Sequence, residues 1–220
     1  MRGLIMKALR DLPHPRRMRS MPVEARTTPA DAMPRSLPVR HQAVASLFAG
    51  TQVLTRGGEV PVESLDAGQF VMSLGVGAHW RPVMRVAPRH VDRATAPGLG
   101  AGALTEAPIL IRADALMKGS PIRDIRVAPG QGIWLEGRVV PACLLVNGLT
   151  ILRERRDGPV VYHDLYMEEP ALLIADGTLI ESGPGGEPGP DAAPLLLEGA
   201  ALDAIHERLE QRARAMSGRA

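Results

Sequence analysis

Short apolar runs broken by glycine-bearing turns fill the chain from Thr51 to about Ser182, and each run is too short for a helix. "TQVLT" leads into "RGGEVPVESL", and "QFVMSL" is followed by "GVG" and then "HWRPVMRV". "ILIRADAL" starts at Ile109, and "GIWLEG" runs into "RVVPA". "CLLV" and "LTILRE" flank Asn147-Gly148, while "ALLI" and "TLIES" flank an Asp176-Gly177 turn. Asn-Gly and Asp-Gly supply the paired positive φ of a tight hairpin, so both segments predict hairpins. "PVVYHDLYM" adds a longer strand between them. Many short strands at regular spacing predict an all-β fold rich in hairpins.

The pattern changes at both ends. Residues 1–45 hold six prolines and no sustained period, which predicts a disordered arm. "GPGGEPGPDAAP" (183–194) has the composition of a linker. Beyond it, residues 195–220 place Leu202, Ile205, Leu209 and Met216 on one stripe, predicting an amphipathic helix docked on the β domain or on a protein partner. "APGLGAGALTEAP" (96–108) lacks the spacing of a phosphate-binding loop, and Pro97 precedes its glycines, so it reads as a flexible loop.

Composition narrows the chemistry. Aromatics make up 3% of the chain, so Val, Leu, Ile and Ala must build the core. The one cysteine, Cys143, excludes a disulfide framework and a thiolate metal cluster, and its apolar surroundings suit a buried small side chain. No cluster implies a cofactor or metal. No apolar run reaches the roughly 18 residues of a membrane span, and "MRGLIMKALRD" makes a poor secretory signal, which points to the cytoplasm. Residues 1–45 carry nine Lys/Arg and three acids, an excess of +6; since the whole chain is +2, the rest sums to −4. A basic arm can touch nucleic acid, but these charges are dispersed and have no aromatics beside them, so a solvated tail is the preferred reading. Glu168 and Glu169, as neighbours on a strand, would face opposite ways and form no acid/base pair.

"FAGTQVLTRGGEVPVESLDAGQFVMSL" resembles the opening of the Hint (Hedgehog/intein) domain in its bacterial branch. Gly50, Thr51, Val53, Leu54, Thr55, Gly58, Pro61, Val62, Glu63, Leu65, Gly68 and Val71 match that pattern in order. "ILIRADALMKGSPIRDIRVAPGQGIWLEGRVVPACLLVNG" resembles the middle section of the family, and "VVYHDLYMEEPALLIADGTLIES" its closing section, so the resemblance spans residues 46–182. It implies a Hint-type β-fold with a C-terminal helix and a self-processing chemistry. The first residue of such a domain, usually Cys, attacks the carbonyl before it, and a Ser/Thr-x-x-His turn polarises the amide and protonates the leaving nitrogen.

Carried over position by position, the nucleophile falls on Ser46 and the Ser/Thr-x-x-His turn on Ala128 and Gln131. Asp164 and Pro170 stand where relatives often have histidines, and Asp164 resembles the aspartate of the intein version of that strand. A serine hydroxyl is a weaker nucleophile than a thiolate, and Gln131 cannot transfer a proton. Loss of such a proton donor typically lowers a rate by about 10²–10⁴-fold. His79, His90 and His163 are the remaining imidazoles outside the arm and the helix; nothing places His79 or His90 beside Ser46, and His163 should point away from the Asp164 face. Two functions follow: a catalytically degenerate Hint domain serving as a scaffold or binding module, or a slow acyl shift at Ala45-Ser46 that releases the arm. Nucleic-acid binding through the arm is a third.

Overall fold

The computed structural model describes residues 43–75, 77–91, 107–154, 159–185 and 194–218. The predicted arm up to residue 42, most of the 96–108 loop and most of the linker lie outside the described residues.

Among the described residues the chain forms fourteen strands in two antiparallel sheets. The first sheet runs β11 (Ile151–Arg153), β7 (Ile109–Ile111), β8 (Ile125–Val127), β1 (Ala45–Leu47), β12 (Val160–Tyr166), β6 (Arg85–Val91). The second runs β10 (Arg138–Pro141), β9 (Gly132–Leu135), β14 (Thr178–Ser182), β13 (Ala171–Ala175), β2 (Gln52–Thr55), β4 (Phe70–Gly75), β5 (Gly77–Pro82), with β3 (Gly58–Pro61) also paired to β2. Side chains from both sheets merge into one core, including Leu47, Ile109 and Val127 from the first and Val53, Ile133 and Leu173 from the second. The aliphatic core is what a chain so poor in aromatics must build.

Two hairpins close on turns of paired positive φ. Asp176 and Gly177 take φ of 43° and 72° between β13 and β14, and Glu136 and Gly137 take 49° and 82° between β9 and β10. Paired positive φ defines the type I′ turn, whose twist matches that of the flanking strands.

The expected hairpin at Asn147-Gly148 does not form. Ala142–Leu145 is a 3₁₀ turn rather than a strand, and β11 pairs with β7. Pro141 opens that turn with φ of −57°, the value its ring imposes and a helical turn accepts. Asn147 Oδ1 then accepts the N–H groups of Leu149, Thr150 and Ile151 at 2.9–3.0 Å, so the side chain builds the turn in place of a strand ladder. "HWRPVMRV" also divides: β5 belongs to one sheet and β6 to the other, with Val83 and Met84 between them. Glu168 and Glu169 lie in the bend between β12 and β13 rather than on a strand.

Strand β6 is an edge, and its Pro88 stands opposite His163. The backbone of His163 faces β1, because Leu47 is its partner there, so the Pro88 nitrogen points outward. An edge proline has no N–H to offer an incoming strand.

The C-terminal helix α1 (Ala200–Ser217) docks on the β domain. Before it, Leu195 bridges to Val139, and Val139 N–H and Leu196 N–H bond to Pro194 O and Val139 O. The buried stripe is Leu202, Ile205, Leu209 and Ala213; Met216, assigned to it from spacing, is half-buried. His206 Nε2 meets Leu144 O, and Arg208 pairs with Glu136. Leu209 is fully buried, so Leu209→Ala is expected to lower the unfolding free energy by about 2–5 kcal/mol in urea titration. No described helix is long and apolar enough to cross a membrane.

Candidate functional site

Strand β1 carries the site. Three residues long and fully buried, it lies between β8 and β12. Ala43 and Val44, just before it, are buried as well, so the segment preceding Ser46 reaches the interior before the strand begins.

Ser46 stands directly opposite Asp164. Its backbone groups point the other way: its N–H donates to Gln131 Oε1 at 2.6 Å, and its carbonyl accepts from Ala128 N–H at 3.0 Å. Ser46 and Asp164 are thus a non-hydrogen-bonded pair of the ladder, the type in which side chains approach most closely. The Ser46 hydroxyl donates to Asp164 Oδ1 at 2.6 Å. Asp164 Oδ2 accepts from Arg89 Nε at 2.9 Å, and the Arg89 guanidinium lies 4.9 Å from the Tyr162 ring centre. Phe48 packs edge-on against the same ring, 5.3 Å between centres.

Gln131 is the other anchor. It is 1% exposed. Its Nε2 donates to Gly132 O at 3.0 Å and to Glu181 O at 2.9 Å. Two carbonyls on the nitrogen side fix the amide orientation, and only the oxygen can face the Ser46 N–H. The turn is further tied by Gln131 N–H to Ala128 O, Ala142 N–H to Gln131 O, and Cys143 N–H to Pro129 O. Cys143 is half-buried in the 3₁₀ turn, and burial pushes its thiol up from the ordinary value. Ala128 packs in an apolar cluster with Val160 and Tyr162.

The structure therefore brings Ser46, Ala128, Gln131 and Asp164 together. Pro170 lies in the bend before β13, where its Cα and the Ala43 carbonyl both neighbour Gly183. His163 occupies the register position next to Asp164, opposite Leu47, and faces away. His79 belongs to the other sheet, and His90 lies exposed opposite Val161. Arg89, Tyr162, Phe48 and Glu181 were not read as part of the site. Arg89 reaches Asp164 only through the β6–β12 register, which no local pattern encodes.

The arrangement is well satisfied and poorly suited to proton delivery. An acyl shift needs Ser46 Oγ to attack the Ala45 carbonyl carbon while the Ser46 nitrogen gains a proton. Asp164 can accept the hydroxyl proton. The group on the Ser46 nitrogen, however, is an amide oxygen, an acceptor with no proton to give.

A hairpin-built antiparallel β domain with its first strand buried at the site is the class this geometry defines. The family model for the Hint domain matches residues 45–186, and the chain belongs to the Hint domain family. Among solved structures it is similar to a bacterial intein-like domain from Clostridium thermocellum, at 17% identity and TM-score 0.46, covering 62% of this chain and 96% of that one. It is also similar to a splice-inactive variant of the AceL NrdHF class 3 split intein, at 12% identity and TM-score 0.43, covering 64% and 98%. No curated protein is found to match.

Proposed function

We propose that this Hint domain does not cleave itself and serves as a scaffold or binding module whose preceding segment stays attached. The observation that carries the reading is the Gln131 carboxamide: its oxygen holds the Ser46 N–H, and its nitrogen is committed to two carbonyls. With a methyl at Ala128 and the Asp164 charge balanced by Arg89, the site holds hydrogen bonds without an acid for the leaving nitrogen. The reading requires no cofactor. A protein partner using α1 would meet its charged face, since Leu202, Ile205 and Leu209 are buried against the sheets.

A second reading is a slow acyl shift at Ala45-Ser46. The 2.6 Å contact of Ser46 Oγ with a carboxylate favours it, because that carboxylate can take the hydroxyl proton. Gel analysis of the purified full chain over several days at pH 7 to 8 separates the two. The scaffold reading predicts one undiminished band, identical for the native chain and Ser46→Ala. A shorter band that appears only when Ser46 is present establishes the acyl shift instead.

A further inference from the structure

Asp176 does more than turn a hairpin. It is 3% exposed, yet it carries a carboxyl group at positive φ in the β13–β14 turn. Three elements converge on it. From the start of β2, Gln52 N–H donates to Oδ2 at 3.3 Å, and the Asp176 N–H donates to Gln52 O at 2.8 Å. From the segment 112–124, Ile122 N–H donates to Asp176 O at 2.8 Å, and the Ile122 side chain crowds Gly177. Ser120 and Thr178 add a hydroxyl pair at 3.1 Å across the same seam. Oδ1 is buried without a hydrogen bond; Arg123 Nε is 3.1 Å away but off the line of one.

Arg123 is also shared. Its NH2 group donates to Glu59 Oε2 at 2.7 Å, so one half-exposed guanidinium serves two carboxylates. Arg123 from the segment 112–124 and Glu59 from β3 are the charged groups acting on Asp176. Asp114 and Asp124 of that segment accept from Gly119 N–H and Ala113 N–H.

We propose that Asp176 is a proton-operated latch between the segment 112–124 and the β13–β14 turn: the seam holds while the buried carboxyl is neutral and loosens when it ionises, because a half-exposed Arg123 shared with Glu59 offsets only part of the cost of a buried charge. A buried carboxyl whose Oδ1 accepts no hydrogen bond and meets only a shared guanidinium is cheaper to hold neutral than charged. Burial pushes the Asp176 carboxyl up from 3.8 to about 6, against the Gln52 N–H and Arg123, while Glu59 adds a smaller push upward. Opening the seam lets water reach the carboxyl and returns it toward its ordinary value. A raised acid makes the closed state lose ground as pH rises from 3.8 through 6. The seam shares no residue with the Ser46 site.

Amide hydrogen exchange of Ile122 and Asp176 in the full chain, corrected for intrinsic exchange, tests this between pH 4.5 and 7.5. The opening constant is expected to rise about 25-fold over that range. Asp176→Asn keeps a side chain that tolerates positive φ, and it should abolish the rise. Glu59→Gln, at a more exposed position, should shift the midpoint downward and shrink the rise. A pH-independent opening in the native chain overturns the latch, as does an equal rise in Asp176→Asn. An unmoved midpoint in Glu59→Gln overturns the sharing of Arg123.

Discussion

Gln131→Leu is expected to lower the unfolding free energy by about 2–6 kcal/mol. The substitution keeps the approximate volume and removes three hydrogen bonds. The Ser46 N–H, Gly132 O and Glu181 O each lose the partner that Gln131 provides. The site is nearly inaccessible to water, so the Ser46 N–H is left with an unmet desolvation cost of about 1–3 kcal/mol, and the two carbonyls each lose one hydrogen bond. The three groups come from β1, β9 and β14, which span both sheets, so the damage is not confined to one hairpin. Gln131→Glu should also destabilise at neutral pH: its carboxylate can still accept from Ser46 but turns negative charge toward two carbonyls. Urea unfolding of both variants provides the check. A loss below about 1 kcal/mol for Gln131→Leu would mean that the amide is not what holds the three strands.

Installing the missing groups should wake the site. Ser46→Cys, Ala128→Thr and Gln131→His together restore a thiol, a hydroxyl and an imidazole where the Hint resemblance places them. The thiol is a far better nucleophile near neutrality, and the imidazole can hand a proton to the Ser46-position nitrogen. Cleavage after Ala45 in the presence of dithiothreitol is expected to be at least about 10²-fold faster in the triple variant than in Ser46→Cys alone. The new hydroxyl enters the cluster of Val160 and Tyr162, and the imidazole has fewer bonds than the amide it replaces, so some loss of stability accompanies the gain. A melt of each variant shows whether the fold survives. A folded triple variant that cleaves no faster than Ser46→Cys would mean that the frame around Ser46 no longer aims these groups at the Ala45 carbonyl.

The sequence was most informative where structure is local. Asp176-Gly177 makes its turn because both residue types accept positive φ, whereas Glu136 has no such preference and takes φ of 49° between the paired strands β9 and β10. Asn147-Gly148 looked the same but turned out differently, since the Asn147 side chain took three N–H groups and Pro141 had already begun a 3₁₀ turn. The division of "HWRPVMRV" between two sheets was hidden because sheet membership depends on distant partners. The site illustrates the same limit. Ser46 meets Gln131 and Asp164 across 85 and 118 residues of chain, and only family resemblance linked them beforehand. Arg89 had no such link and came to light through the register of β6 with β12. Spacing puts Met216 on the buried stripe, whereas Ala213 is the buried residue that completes it and Met216 is half-buried.

On the proposed reading, Ser46 is a seated hydroxyl within a retained Hint frame and leaves its own peptide bond intact. Intact-mass spectrometry of the native full-length chain, incubated for days at pH 7 to 8 with hydroxylamine to trap any ester, tests it most directly. A single full-length species is expected in every sample. A fragment beginning at Ser46, together with a hydroxamate on Ala45, both absent from Ser46→Ala, would contradict it.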